Sequence, residues 1–96
     1  MHLHNPPHNA INIKMLQEIK EATNYVAEDA KMKGLIITGS HDIGNFCAGL
    51  DLKELFPRDR KEMQQWWNIF VNAFTAILKS RLHTVCAING SGPAGF

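Results

Sequence analysis

Two short β-favouring runs, Leu35-Ile36-Ile37-Thr38 and Thr84-Val85-Cys86-Ala87-Ile88, are separated by a long stretch of helical periodicity. Strands joined through such a helix lie parallel in one sheet, because a hairpin cannot span the distance. Neither run alternates apolar with polar residues, so each is expected to be buried on both faces. This pattern selects the α/β class. The second run leads into Asn89-Gly90-Ser91-Gly92-Pro93-Ala94-Gly95-Phe96, a turn that in such folds normally opens a helix. The sequence therefore reads as a single domain over 1–96 that is incomplete at its C-terminus.

Two long helices are predicted. The first has Asn12 at its N-cap, with Ile11 and Leu16 spaced as a hydrophobic staple. Its apolar face is Met15, Ile19, Ala22, Val26 and Ala30, with Lys31 and Lys33 at its C-terminal end and Gly34 as the stop. The second starts after Pro57, where Asp59 and Glu62 have capping-box spacing. Its stripe is Met63, Trp67, Phe70, Phe74 and Ile77, widened by Trp66, Val71 and Leu78, so burial along most of its length is expected. Asn5-Pro6-Pro7-His8-Asn9 is turn chemistry, and Asp51 opens a short helical stretch to Phe56.

Composition excludes several classes of function. Ten Lys plus Arg against nine Asp plus Glu leave a net charge of +1, so no nucleic-acid or anionic-membrane partner is indicated. Cys47 and Cys86 cannot build a disulfide framework, and both are expected as free, buried thiols. No apolar run approaches the roughly 20 residues of a membrane span. The first residues have no secretory or organellar leader pattern.

Several residue groups carry chemistry only on paper. Gly90 to Gly95 matches G-x-G-x-x-G, but Pro93 inside the turn is foreign to the dinucleotide fingerprint. Ser40-His41-Asp42 are adjacent in the chain and cannot form a nucleophile–base–orienter relay. His2, His4 and His8 have no Cys or carboxylate ligand in their segment, so no metal site is expected. Cys47-Ala48-Gly49-Leu50-Asp51-Leu52 is more informative: small residues admit a ligand close to the backbone, and the turn can present an N–H donor. A second donor from the 90–95 turn would complete an oxyanion hole for a carbonyl oxygen. On chemistry alone, a pair of ordinary tight turns remains the alternative.

Taken in order, Asn5-Pro6-Pro7-x-Asn9-Ala10, Ile36-Ile37-Thr38-Gly39-Ser40, Phe46-x-Ala48-Gly49-Leu50-Asp51-Leu52 and Ala87-Ile88-Asn89-Gly90 resemble the enoyl-CoA hydratase/isomerase family, the crotonase superfamily. Leu50 and the Pro93-Ala94-Gly95 turn resemble its Δ3,Δ2-enoyl-CoA isomerase branch more than its hydratases. The resemblance implies part of the crotonase-like β-β-α spiral, about the first two-fifths of the domain without its first strand. It implies that Ala48, Gly49, Leu50, Asp51, Leu52 and Gly95 bind an acyl-CoA thioester. The backbone N–H groups of Leu50 and Gly95 would be the oxyanion donors for a dienolate during the double-bond shift of unsaturated fatty-acid β-oxidation. It implies no cofactor beyond the coenzyme A of the substrate, assembly as a homo-oligomer (trimers), and a mitochondrial matrix location. The family's catalytic glutamate would lie past the position of Phe96, so the chain alone is expected to be inactive. A hydratase fragment and a non-catalytic acyl-CoA-binding or subunit-docking module are the rival expectations.

Overall fold

The computed structural model describes residues 1–93. The chain forms β1 (His2–Leu3), β2 (Ala10–Ile11), α1 (Ile13–Glu28), β3 (Gly34–Gly39), β4 (Gly49–Leu50), α2 (Leu52–Leu55), α3 (Arg60–Lys79) and β5 (His83–Ala87). β3 pairs with β5 in parallel from Gly34↔His83 to Thr38↔Ala87, as the helical separation of the two runs requires. β1, which the sequence does not announce, lies parallel on the other side of β3, with His2 opposite Thr38. A second, two-stranded sheet pairs β2 with β4, placing Ala10 opposite Gly49 and Ile11 opposite Leu50.

The molecule is only 16 Å thick in its shortest dimension, the depth of one sheet and one helix layer. α1 and α3 pack on each other. Leu16 and Ile19 of α1, Trp66 and Ala73 of α3, Leu35 and Ile37 of β3, and Phe46 share one core.

Neither strand of the main pair is buried on both faces. β3 alternates: Leu35 and Ile37 are inside, whereas Ile36 is 58% exposed. Every residue of β5 is exposed, including Cys86. β5 is the edge of its sheet, and among the described residues no element covers the outer face where Ile36 and Val85 are paired. The buried-strand expectation is corrected on that ground, and so is the expectation of a buried Cys86.

Both helices start where the sequence places them. The Asn12 side chain accepts from Met15 N–H at 2.8 Å, and the Asp59 side chain accepts from Glu62 N–H at 2.8 Å. The C-terminus of α1 differs: it ends at Glu28, leaving Ala30, Lys31 and Lys33 outside the helix, and Gly34 opens β3. The last turn of α1 contains no basic residue of its own. Arg81 closes that end instead, donating from Nε to Ala27 O (3.0 Å), from Nη2 to Asp29 O (2.7 Å) and from Nη1 to Met32 O (2.9 Å). A guanidinium at that position satisfies orphan carbonyls and complements the helix dipole. On α3 the buried line runs through Trp66 and Ala73, while Trp67, Val71 and Leu78 are exposed. Burial along most of α3 is thus corrected to full burial of a narrow line, with Met63, Phe70, Phe74 and Ile77 half-buried against the core beside it, because among the described residues α1 is the element packed along α3.

Candidate functional site

The Asn5–Asn9 turn and the loop entering β4 are knitted together by one side chain. Asn9 is fully buried with φ of 56°, a left-handed conformation that asparagine tolerates better than most residues. Its Nδ2 donates to Leu3 O (3.1 Å), Asn45 O (3.3 Å) and Phe46 O (3.2 Å), and its Oδ1 accepts from Asn5 N–H (2.7 Å). Its own carbonyl accepts from Ala48 N–H at 3.3 Å. The backbone groups of an irregular loop need such partners once water is excluded.

β4 follows directly. Gly49 has φ of 91°, which a side chain would strain. Asp51 N–H donates to Ile11 O at 2.8 Å, and the Asp51 carboxylate caps α2 by accepting from Lys53 N–H at 3.1 Å. In a parallel ladder, successive N–H groups point to opposite sides of the strand. Ala48 N–H and Asp51 N–H, three residues apart, both donate to the 9–11 segment, so that alternation is interrupted across Gly49.

Ala48, Leu50, Asp51 and Leu52 line a groove of about 480 Å³ together with Asn5, Pro6, Pro7, His8, Ala10 and Lys53. Four of the six residues singled out in the sequence thus share one cleft, and Gly49 supplies the bend between two of them. The sequence does not flag Pro6, Pro7 and His8 as part of this wall. His8 meets the loop through Nδ1, 3.3 Å from Asn45 Nδ2.

The second turn reaches the first. Phe46 N–H and Cys47 N–H both donate to Ser91 O, at 2.8 and 3.2 Å, and Asn45 bridges Ser91 in parallel. Asn89 anchors the approach by accepting from Gly39 N–H (3.2 Å) and donating to Gly39 O (2.8 Å). Gly90 lies so close to the loop that a Cβ there would stand 2.5 Å from Gly44 O. This glycine serves a backbone-on-backbone contact, which accounts for the first glycine of the G-x-G-x-x-G string without a dinucleotide. Gly95 lies outside the described residues.

The other groups resolve as follows. His4, not His41, meets Ser40, with Nδ1 3.0 Å from Oγ, and the same nitrogen is 3.7 Å from Asp42. One ring nitrogen facing both partners is not a relay, and Ser40 Oγ donates to Leu3 O. Cys47 is buried; that burial pushes its thiol above the ordinary value of 9.0, partly offset by the Gly49 N–H that donates to its Sγ at 3.4 Å. Among the described residues no three His, Cys, Asp or Glu side chains gather to hold a metal ion, and no helix is long and apolar enough to cross a membrane.

Parallel strands, helices on one face and two touching small-residue turns beside an open cleft define an α/β scaffold. The family model for enoyl-CoA hydratase/isomerase matches residues 1–95, and the chain belongs to that family. It is similar to the enoyl-CoA delta isomerase 1, mitochondrial, of Rattus norvegicus, with 32% identity over 99% of this chain and 32% of that protein. The crystal structure of human mitochondrial delta3-delta2-enoyl-CoA isomerase superimposes with a TM-score of 0.87 at 33% identity, covering 95% of this chain and 35% of that one. A probable enoyl-CoA hydratase 2, mitochondrial, of Arabidopsis thaliana is 32% identical over 91% of this chain and 29% of that protein. The fold is therefore part of the crotonase fold. The chain spans about a third of the length of the curated relatives it matches.

Proposed function

We propose that this chain forms the acyl-CoA thioester site of a Δ3,Δ2-enoyl-CoA isomerase-like protein of unsaturated fatty-acid β-oxidation. The observation that carries the reading is the double hydrogen bond from Phe46 and Cys47 to Ser91 O, which fastens the turn bearing Leu50 to the turn leading to Gly95. The thioester oxygen would accept from the N–H groups of Leu50 and Gly95. Two fixed donors lower the energy of the enolate formed when a proton leaves the α-carbon, because they are already oriented before charge develops. Ala48, Gly49, Leu50, Asp51 and Leu52 would line the path of the acyl group, and coenzyme A would be the only nucleotide, as part of the substrate.

Asp51, in the groove wall, caps α2, and Glu54 accepts from Ile13 and Trp66 with Arg58 beside it; neither matches the position of the family's catalytic carboxylate. The chain alone is therefore expected to bind without turnover, and the base would come from the rest of the family's domain. The names of the rodent and human relatives support a mitochondrial location, and the resemblance supports the matrix and assembly as a homo-oligomer. Calorimetry with hexanoyl-CoA and with free coenzyme A tests the reading. Tighter binding of the thioester supports it; equal affinity, or binding of neither, overturns it. The Arabidopsis relative favours a second reading, hydration of a 2-enoyl thioester at the same two donors. Supplying the complementary portion of the domain and assaying both reactions separates the two.

A further inference from the structure

α1 has no acidic residue in its first turn, yet a carboxylate sits there. Glu54 Oε1 accepts from Ile13 N–H at 3.0 Å and from Trp66 Nε1 at 3.0 Å, with Arg58 Nη2 3.5 Å away. Ile13 is the first residue of α1, so no carbonyl of the helix can accept from its N–H, and the helix dipole favours an anion at that point. The Trp66 side chain is wholly buried, and its indole N–H requires an acceptor. One carboxylate oxygen answers both demands.

These contacts also close a ring. Segments 10–13 and 49–54 are joined at one end by the β2–β4 ladder and at the other by the Glu54–Ile13 bond. Leu50 lies inside that ring, two residues ahead of α2. A four-residue helix has almost no stability of its own. What fixes its angle to β4 is the Asp51 cap at its start, the burial of Leu55 and the grip of Glu54 on α1 and α3.

We propose that Glu54 is a positioning residue whose carboxylate sets the direction in which Leu50 presents its N–H to the groove. The proposal rests on the thioester reading for its purpose, but its geometry is testable without ligand. Glu54 transfers no proton; it orients the donor through α2.

The test compares the full chain with Glu54→Ala, Glu54→Gln and Leu35→Ala, the last removing volume from the shared core without removing any hydrogen bond of the ring. Amide hydrogen exchange is read at Ile13, Leu50 and Asp51, and the carbonyl ¹³C shift is read in bound hexanoyl-CoA labelled at C1. A charge-assisted hydrogen bond corresponds to about tenfold or more in local opening. Glu54→Ala is expected to speed exchange at Ile13 and Asp51 by about that factor and to remove most of the carbonyl shift. Glu54→Gln keeps an oxygen acceptor and is expected to do so only about threefold, which carries the test if the alanine variant fails to fold. Unchanged exchange in Glu54→Gln, or the same carbonyl change in Leu35→Ala, overturns the proposal. Faster exchange at Ile13 and Asp51 with no carbonyl shift even in the parent chain supports Glu54 as the clasp and defeats the thioester reading instead.

Discussion

The β2–β4 corner and the β3–β5 pair are both parallel strand pairs, but they are held by different means. β3 and β5 share a five-residue ladder, and the apolar side chains that secure it, Leu35 and Ile37, belong to one strand and one face. β2 and β4 contribute two residues each. Their backbone is irregular on both sides, so it is satisfied by named polar side chains: Asn9 from one loop, Asp51 and Glu54 from the other. A regular ladder tolerates many sequences, whereas a corner built this way depends on single residues. Such a corner holds backbone groups in directions that a regular sheet does not offer, and the groove is found there.

The largest effect should come from Trp66→Ala, which removes the side chain beneath the corner and leaves Glu54 short of a donor. A loss of about 3–5 kcal/mol is expected in denaturant unfolding, enough to unseat corner and sheet together. Asn9→Ala should follow at about 2–4 kcal/mol, because several buried carbonyls lose their donor at once. If it instead costs less than Leu35→Ala, the corner is no more dependent on single residues than the sheet. Gly90→Ala, which must push against the Gly44 carbonyl, is expected to cost about 1–3 kcal/mol and to loosen the Ser91 contact, visible as faster amide exchange at Phe46 and Cys47. Cys47 gives a pH signature. Its folded thiol holds its proton more tightly than the unfolded one, so the native state binds the extra proton and stability falls as pH climbs past 9.0. Cys47→Ser should flatten that alkaline slope, and thiol labelling should reach exposed Cys86 well before Cys47. Val85→Thr, on the open face of β5, should change stability by no more than about 0.5 kcal/mol.

What could be read in the sequence follows the same division. The starts of α1 and α3 were legible because an N-cap acts over three residues, and Asn12 and Asp59 do so here. The parallel pairing of β3 with β5 was legible from the helical separation. The end of α1 was not, because its closing group, Arg81, lies 52 residues beyond Asp29. The buried side of α3 was legible in part: Trp66 and the stripe residues Met63, Phe70, Phe74 and Ile77 do pack on the core, but Ala73 gave no signal, and Trp67, Val71 and Leu78 face outward. β1 and β2 are too short to show any period. At the groove, Ala48 and Asp51 could be named because a small residue and a cap leave a local signature, whereas Leu50 and Leu52 came only with the family resemblance. Glu54 could not, since its meaning comes from an amide 41 residues before it and an indole 12 residues after it.

Asn12 caps the start of α1 locally, but each end also takes a partner from further along the chain, Glu54 at the start and Arg81 at the finish. On a ribosome, those residues emerge only after the helix itself has been made. Until then the Ile13 amide and the Ala27 carbonyl have only water as partner. The last partners of α1 are thus delivered by α2 and by the α3–β5 junction rather than by its own residues.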